Sequence, residues 1–420
     1  MSTFTGFIPE LPGIAIDCFE DAQRSQSSIF FLSHCHADHM RGLDKNVPLP
    51  GSLHLSPISG VFIKHRFPQH ADVVRSFHVG EQLALKVHPS TGEAPYELYV
   101  RSLSAEHCPG SVMFYFEGNG TRVLYTGDFR LSSQKNFTTQ SSGIQPAIVY
   151  LDSTFLDKDY SYFPSREEST ARVIHLCTEW LAADQRNVVS LWLPANYGSE
   201  DLFLRLFDRL KERIHISDRQ RAPYKHFSSL NDILTCDSST RIHACTGTMR
   251  SNRNLNCEKL CNENSTSFVR TIRPSALRWR ALQPTEQFWK ESNNLFYVCY
   301  SAHASCNELG AFLAHFQQHV CDIRLNVIAD EDDRVRKEQL IESMLGNRIN
   351  HATSNNGAER RDKAQDGLSL NLNKIEYRTK RRTNHRAGRT TESSESEDND
   401  CDLSYCKLPK RSRVEKHCAS

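Results

Sequence analysis

Ile29-Phe30-Phe31-Leu32-Ser33-His34-Cys35-His36-Ala37-Asp38-His39 is a short aromatic and β-branched run that hands over directly to three histidines and an aspartate. Such a run reads as a buried strand ending where the histidines begin. Side chains alternate along extended backbone, so His34 and His36 can converge on one ion. Asp38 and His39 lie past the turn and can face a second point a few ångströms away. Imidazole nitrogens with one carboxylate suit zinc or another borderline divalent metal, and H-x-H-x-D-H at a strand end is a specific pattern rather than a scatter of single histidines.

The same hand-over recurs. Leu11-Pro12-Gly13-Ile14-Ala15-Ile16-Asp17 reads as a short strand ending at Asp17. An alternating run at 97–103 delivers Glu106-His107-Cys108-Pro109-Gly110-Ser111. Strands at 111–117 and 122–125 flank the hairpin residues Gly118-Asn119-Gly120, and the second ends at Thr126-Gly127-Asp128. Ala147–Leu151 ends at Asp152-Ser153-Thr154. A lone strand-end Asp is usually a turn former. Hand-overs at 34–39, 107, 128 and 152 in one chain point to a shared site. Between 50 and 106 the remaining apolar runs are short and strand-like.

After 155 the pattern changes. Ser165 and Glu168 have the spacing of a capping box, which predicts a helix to about 182. A strand at 188–193, a helix near 199–213, a strand at 241–245, a strand at 295–300, a helix near 306–319 and a strand near 323–328 follow. This alternation predicts an α/β unit with a parallel sheet. From about 347 the composition turns polar: residues 374–389 hold seven basic residues and one acid, and 392–402 hold six acids and no base. Few apolar residues and no periodicity predict a disordered charged tail over 347–420, in which Lys380-Arg381-Arg382 and Lys410-Arg411-Ser412-Arg413 read as nuclear-localisation or phosphate-binding patches, or as incidental charge.

The 420 residues carry 51 basic and 50 acidic side chains, a formal net charge of +1, so no global basic field announces nucleic acid. Fourteen cysteines are scattered without a repeating frame, the first residues lack the basic and apolar regions of a signal peptide, and no apolar run approaches the ~20 residues that span a bilayer. The expectation is a reducing compartment, with free or metal-bound thiols.

Taken as chemistry, His34, His36 and His107 with Asp128 form one ligand set, and Asp38, His39 and a bridging Asp128 a second. Two ions ~3.5–4 Å apart lower the pKa of a shared water and flank both oxygens of a displacement. Asp17 reads as an outer partner that orients a ligand histidine or the water.

The loop Ser33–His39 resembles the metallo-β-lactamase signature, with His107 and Asp128 at the next ligand positions. Glu106–Ser111, Tyr125-Thr126-Gly127-Asp128-Phe129-Arg130, Tyr150–Phe155 and Pro164–Glu167 together resemble the β-CASP DNA nucleases. The resemblance implies an α/β fold: a four-layer αβ/βα metallo-β-lactamase sandwich with an inserted α/β β-CASP domain and a disordered C-terminal tail. The implied boundaries are 1–155 and 306–346 for the sandwich, 156–305 for the insertion and 347–420 for the tail. It further implies a zinc-dependent hydrolase cutting DNA at ends, overhangs or hairpins, in the nucleus, with Mg²⁺ or Mn²⁺ an option at the second position. Asp17, Asp38, Asp128, Asp152 and His303 would be catalytic, the last in Tyr300-Ser301-Ala302-His303-Ala304-Ser305. Ser305, Ser153 and Arg166 would meet phosphate or DNA. A structural zinc held by two His and two Cys is a further implication; His215, His243 and Cys245 match, and either Cys257 or Cys261 is the fourth ligand. Partners implied besides DNA are the DNA-dependent protein kinase and the end-joining ligase complex, whose family contacts lie in a longer tail. RNA-processing members carry a further histidine near the last strand, where alignment places Asp330, so this chain lacks it. The other readings are a β-CASP RNA endonuclease and a non-catalytic scaffold with a residual metal site.

Overall fold

The computed structural model describes residues 2–90, 92–193, 195–245, 257 and 268–354, the last eight by backbone alone. Cys261 and the charged tail from 355 lie outside the described residues.

Two sheets pack face to face. The first is all parallel, in the order Ile14–Ile16, Ile29–Phe31, Ser52–Leu55, Val74–Ser76. The second has six strands, in the order Asp322–Leu325, Ile148–Leu151, Thr121–Tyr125, Val112–Gly118, Tyr96–Ser104, Gln82–Val87. Alternation sends Ile29 and Phe31 into the layer between the sheets, against Phe114, Phe116 and Tyr125. Phe30 points the other way, into a core with Leu53, Leu55 and Ile63. Both faces are buried, which is why residues 29–32 are apolar without interruption. On the outer face of the second sheet, Met113, Leu124 and Leu151 pack against Phe137, Phe312 and Ile341 from three helices. The result is helix, sheet, sheet, helix: the expected four layers.

The third sheet lies within 188–299, in the order Leu234–Thr235, Ile214–His215, Ile242–His243, Val188–Leu191, Val269–Ser275, Leu295–Cys299, Trp289–Ser292; only the last pairing is antiparallel. The helix Arg166–Ala183 starts at the expected capping box of Ser165 and Glu168. The hairpin at 118–121 turns through Asn119 and Gly120, both at positive φ.

Several elements differ from the sequence reading, which named no strand at Ile214–His215, Leu234–Thr235, Val269–Ser275 or Trp289–Ser292. The run after Leu55 contains a helix, Pro57–Arg66, capped by the Ser56 hydroxyl with Pro57 in its first turn, a start signal that apolar runs alone conceal. The last described helix, Glu331–Ser354, runs past the boundary at 346. Asp330 accepts from the Asp333 N–H at 2.7 Å and so caps that helix. The last strand ends at Leu325, and it is Val327 that meets the site side of the fold, its carbonyl accepting from Ser153 at 2.7 Å. No described helix is long and apolar enough to cross a membrane.

Candidate active site

Asp17 is the first residue after its strand and Ser33 follows the neighbouring one by two, so parallel pairing sets them side by side. Asp17 holds a left-handed backbone, φ 52°. Its Oδ1 accepts from the Ser33 N–H at 2.7 Å, and its Oδ2 from the Ser33 hydroxyl at 2.6 Å, His39 Nδ1 at 2.8 Å and the Tyr125 hydroxyl at 2.9 Å. Since the Ser33 proton goes to Asp17, Ser33 Oγ accepts from His34 Nδ1 at 2.9 Å. Asp17 therefore fixes two histidines, one directly and one through Ser33.

The other two rings are fixed by carbonyls, which only accept. His36 Nε2 donates to the Tyr197 carbonyl at 2.9 Å and His107 Nδ1 to the Ala302 carbonyl at 2.9 Å. Each of the four histidines thus has one nitrogen tied outward as N–H, which turns the other inward, bare whenever the ring is neutral. His34 Nε2 lies 3.1 Å and His107 Nε2 3.0 Å from His36 Nδ1. Asp128 Oδ2 lies 3.5 Å from His34 Nε2 and 3.6 Å from His107 Nε2. Burial, with His34 next, pushes the His36 pKa down to about 4, and burial with His303 and His34 holds His107 well below its ordinary value. Asp128 stays well below the carboxylate range despite burial, because His39 and His303 face it.

Three bare nitrogens and a carboxylate oxygen, four of their separations at 3.0–3.6 Å and all within 4.8 Å, repel one another unless a cation lies among them. A tetrahedral ion with ~2.0–2.1 Å arms has edges of about 3.3–3.4 Å, so the donor set fits one. Across Asp128, His39 Nε2 is buried without a hydrogen-bond partner, 3.3 Å from Asp128 Oδ2 and 3.8 Å from Asp38 Oδ2. That orphaned nitrogen and two carboxylates fit a second ion, with Asp38 at the partly exposed side. Gly127 makes this possible: its φ is +54°, and a Cβ there would stand 2.8 Å from Ser33 Cβ and Oγ, so only glycine lets the Asp128 loop cross Ser33.

His303 Nδ1 lies 2.9 Å from Asp152 Oδ2, and its ring is 4.6 Å from that of His107. Burial opposes a proton on His303, but the carboxylates of Asp152 and Asp128 outweigh it and raise the pKa to about 9. Asp128, Asp152 and His303 converge.

The three expected phosphate contacts have tasks inside the fold. Ser153 Oγ bridges to Val327. Ser305 caps the helix Cys306–Phe316, its own N–H donating to Glu308 at 2.7 Å. Arg166 reaches the carbonyls of Glu106 and, at 2.7 Å, Arg130. Exposed cations gather instead where Phe62 packs on Tyr197, 4.5 Å between centroids, and stacks on Phe227. His65 there lies 6.3 Å from His226 between ring centroids and Arg66 faces Arg219, and Lys64 and Lys225 are their exposed chain neighbours. Burial, then the Arg219 charge, lowers the Arg66 pKa, and no ion pair among the described residues reaches Lys64, Arg66, Arg219 or Lys225.

A second donor set is remote from the first in sequence. His215 pairs in register with His243, and Cys245 follows on the same face by alternation. His215 Nδ1 lies 3.0 Å from His243 Nδ1, 3.1 Å from Cys245 Sγ and 3.8 Å from Cys257 Sγ, all buried. Cys257, one of the two candidate fourth ligands, is brought in; the other, Cys261, lies outside the described residues. The site partners Ser33, Tyr125, Tyr197 and Ala302 escaped the sequence reading. The Ser33 signal was present, directly before the first histidine.

Residues 228–322 match the family described as DNA repair metallo-β-lactamase. The chain is 33% identical over 341 residues to the protein Artemis of Gallus gallus, covering 76% of this chain and 47% of that one. It is 32% identical over 336 residues to Artemis of Homo sapiens, 75% and 48% covered, and 30% identical over 317 residues to the 5′ exonuclease Apollo of Rattus norvegicus, 73% and 52% covered. The chain spans about half the length of the curated relatives it matches.

Proposed function

Because the chain belongs to the DNA repair metallo-β-lactamase family, we propose that it is a metal-dependent nuclease that hydrolyses phosphodiesters at DNA ends, overhangs or hairpins. The setting would be nuclear, in double-strand-break repair by end joining or in crosslink repair. One observation carries the reading: bare nitrogens of His34, His36 and His107 converge with Asp128, beside the orphaned His39 Nε2 and Asp38.

Zinc at the first position and zinc, Mg²⁺ or Mn²⁺ at the second would supply an activated water and charge neutralisation for the phosphodiester. The chain's own groups do the rest. Asp17 sets His39 and, through Ser33, His34; the Tyr197 and Ala302 carbonyls set His36 and His107. His303, held by Asp152, keeps a proton at neutral pH and is placed to give it to the leaving oxygen. The cationic rim from Lys64 to His226 would carry phosphates that flank the cut.

The test is cleavage of end-labelled single-stranded, overhang and hairpin DNA and matched RNA by the full chain, beside Asp38→Ala and a chelator control. Metal-dependent DNA cuts that vanish in the variant support the proposal. Cuts confined to RNA transfer the chain to RNA processing.

A further inference from the structure

Glu200 opens the helix Glu200–Leu210, a position where a carboxylate normally faces solvent and the N–H groups of the first turn, yet it is only 2% exposed. One carboxylate oxygen accepts from the Gly198 N–H at 2.8 Å, and the other from the hydroxyl of Tyr224, itself buried. The Gly198 N–H and the Tyr197 carbonyl belong to one peptide unit. In a trans peptide these two groups point opposite ways. The plane that gives its N–H to Glu200 therefore turns its carbonyl towards His36 Nε2, 2.9 Å away.

We infer that Glu200 is a positioning residue for the metal centre: it grips one end of the 197–198 peptide plane and so fixes the His36 ring held at the other end. This rests on the metal reading above.

Three further features seat residues 197 and 198 beside the site, but none of them grips the Gly198 N–H as Glu200 does. Gly198 has φ +114°, a backbone conformation that L side chains rarely adopt, while a Cβ there would make only ordinary contacts, 3.4 Å from His36 Nε2 and 3.5 Å from Cys108 Cβ, so conformation rather than space selects glycine. The Tyr197 hydroxyl donates to the Pro109 carbonyl, which anchors the residue beside the His107 loop. Its ring is wedged between Phe62 and His36, at 4.5 and 6.1 Å between centroids. A carboxylate on the N–H also polarises the peptide and strengthens the carbonyl as an acceptor. Without Glu200 the plane can rotate, the His36 tie is lost, and Nδ1 no longer has a fixed direction. Outer partners of metal-bound histidines are worth about 10–100-fold in metal affinity.

The experiment is zinc competition against a chromophoric chelator on the full chain, with total zinc and thermal unfolding measured in parallel. Glu200→Ala should weaken zinc at the His34 centre by roughly 10–100-fold while the His215–Cys257 zinc stays bound. Glu200→Gln, which keeps an acceptor for the Gly198 N–H, should restore affinity to within a few-fold. If Glu200→Ala does not fold, Gly198→Ala is read in its place with the same expectation. A variant that loses thermal stability but holds the catalytic zinc as tightly as the parent overturns the inference. A parent chain that takes up zinc at His215–Cys257 alone overturns the metal reading itself, and this inference with it.

Discussion

His303 and Asp152 are 151 residues apart in sequence, yet His303 Nδ1 lies 2.9 Å from Asp152 Oδ2. The pair reports its own role through pH. His303 holds its proton up to about 9 because the carboxylates of Asp152 and Asp128 outweigh burial. As the proposed acid, it is lost when pH rises through that value, so kcat should fall on the alkaline side near there. Asp152→Asn removes the first of the raising charges, so the alkaline limb should move to lower pH. His303→Ala should lower kcat by about 10²–10⁴-fold with zinc content unchanged. A pH profile of single-turnover cleavage checks both.

Asp128 Oδ2 faces the first three histidines and His39 at once, with His39 Nε2 3.3 Å away. Asp128→Ala should therefore cost both ions, and His39→Ala only one. Metal counting on desalted protein decides it, and an Asp128→Ala chain with two equivalents would refute the bridging role. Burial works against a charge on His39, but Asp128 and Asp17 together hold its pKa well above the ordinary value. The second ion must displace that proton, so its affinity should drop as pH is lowered.

Cys245→Ala and Cys257→Ala should each lower the melting temperature and release about one zinc, since closed His/Cys sites contribute folding energy outright. Cys261→Ala should do neither. Zinc content and thermal unfolding of the three variants check the assignment of Cys257, and loss of zinc from Cys261→Ala would reverse it.

The cationic rim predicts a salt effect. If Arg66 and Arg219 each neutralise one phosphate, the double alanine variant should reduce the slope of log affinity against log salt by about 2 on duplex DNA. The loss should be uniform across sequences. Filter binding between 50 and 200 mM salt measures it, and an unchanged slope would remove the rim from the DNA path.

What the sequence made legible follows from side-chain chemistry and period. His34 and His36 share a face because strands alternate, and the hand-overs at Asp17, His107, Asp128 and Asp152 do converge. The capping box at Ser165 and the turn at Asn119-Gly120 lie where their residues dictate. The ties on His36 and His107 were not legible, because a backbone carbonyl from Tyr197 or Ala302 carries no residue signal. Glu200 was hidden for a related reason: an acid in the first turn of a helix reads as ordinary dipole compensation, and only burial reveals otherwise. Asp330 caps the helix that starts at Glu331, a role its place just before the acidic run Glu331-Asp332-Asp333 does not announce. The helix Pro57–Arg66 was readable from Ser56-Pro57, a cap followed by a first-turn proline.

Glu200 also predicts a pH dependence of stability, with a definite sign. Burial, opposed by the Tyr224 hydroxyl and the Gly198 N–H, raises its pKa from 4.5 to about 7. The folded chain therefore binds this proton more tightly than the unfolded one. Between about 4.5 and 7 the folded state holds more protons, so stability falls as pH rises. Above 7 the group is ionised in both states and the full penalty is present, about 3 kcal/mol from a shift of this size. Glu200→Gln cannot ionise and should lack this slope. Thermal unfolding of parent and variant from pH 5 to 8 isolates the contribution, because every other titrating group is common to both. The parent should lose melting temperature relative to Glu200→Gln as pH rises to 7, and the difference should then level off. Parallel curves would mean that Glu200 ionises as freely in the fold as in water, which its burial between Gly198 and Tyr224 argues against.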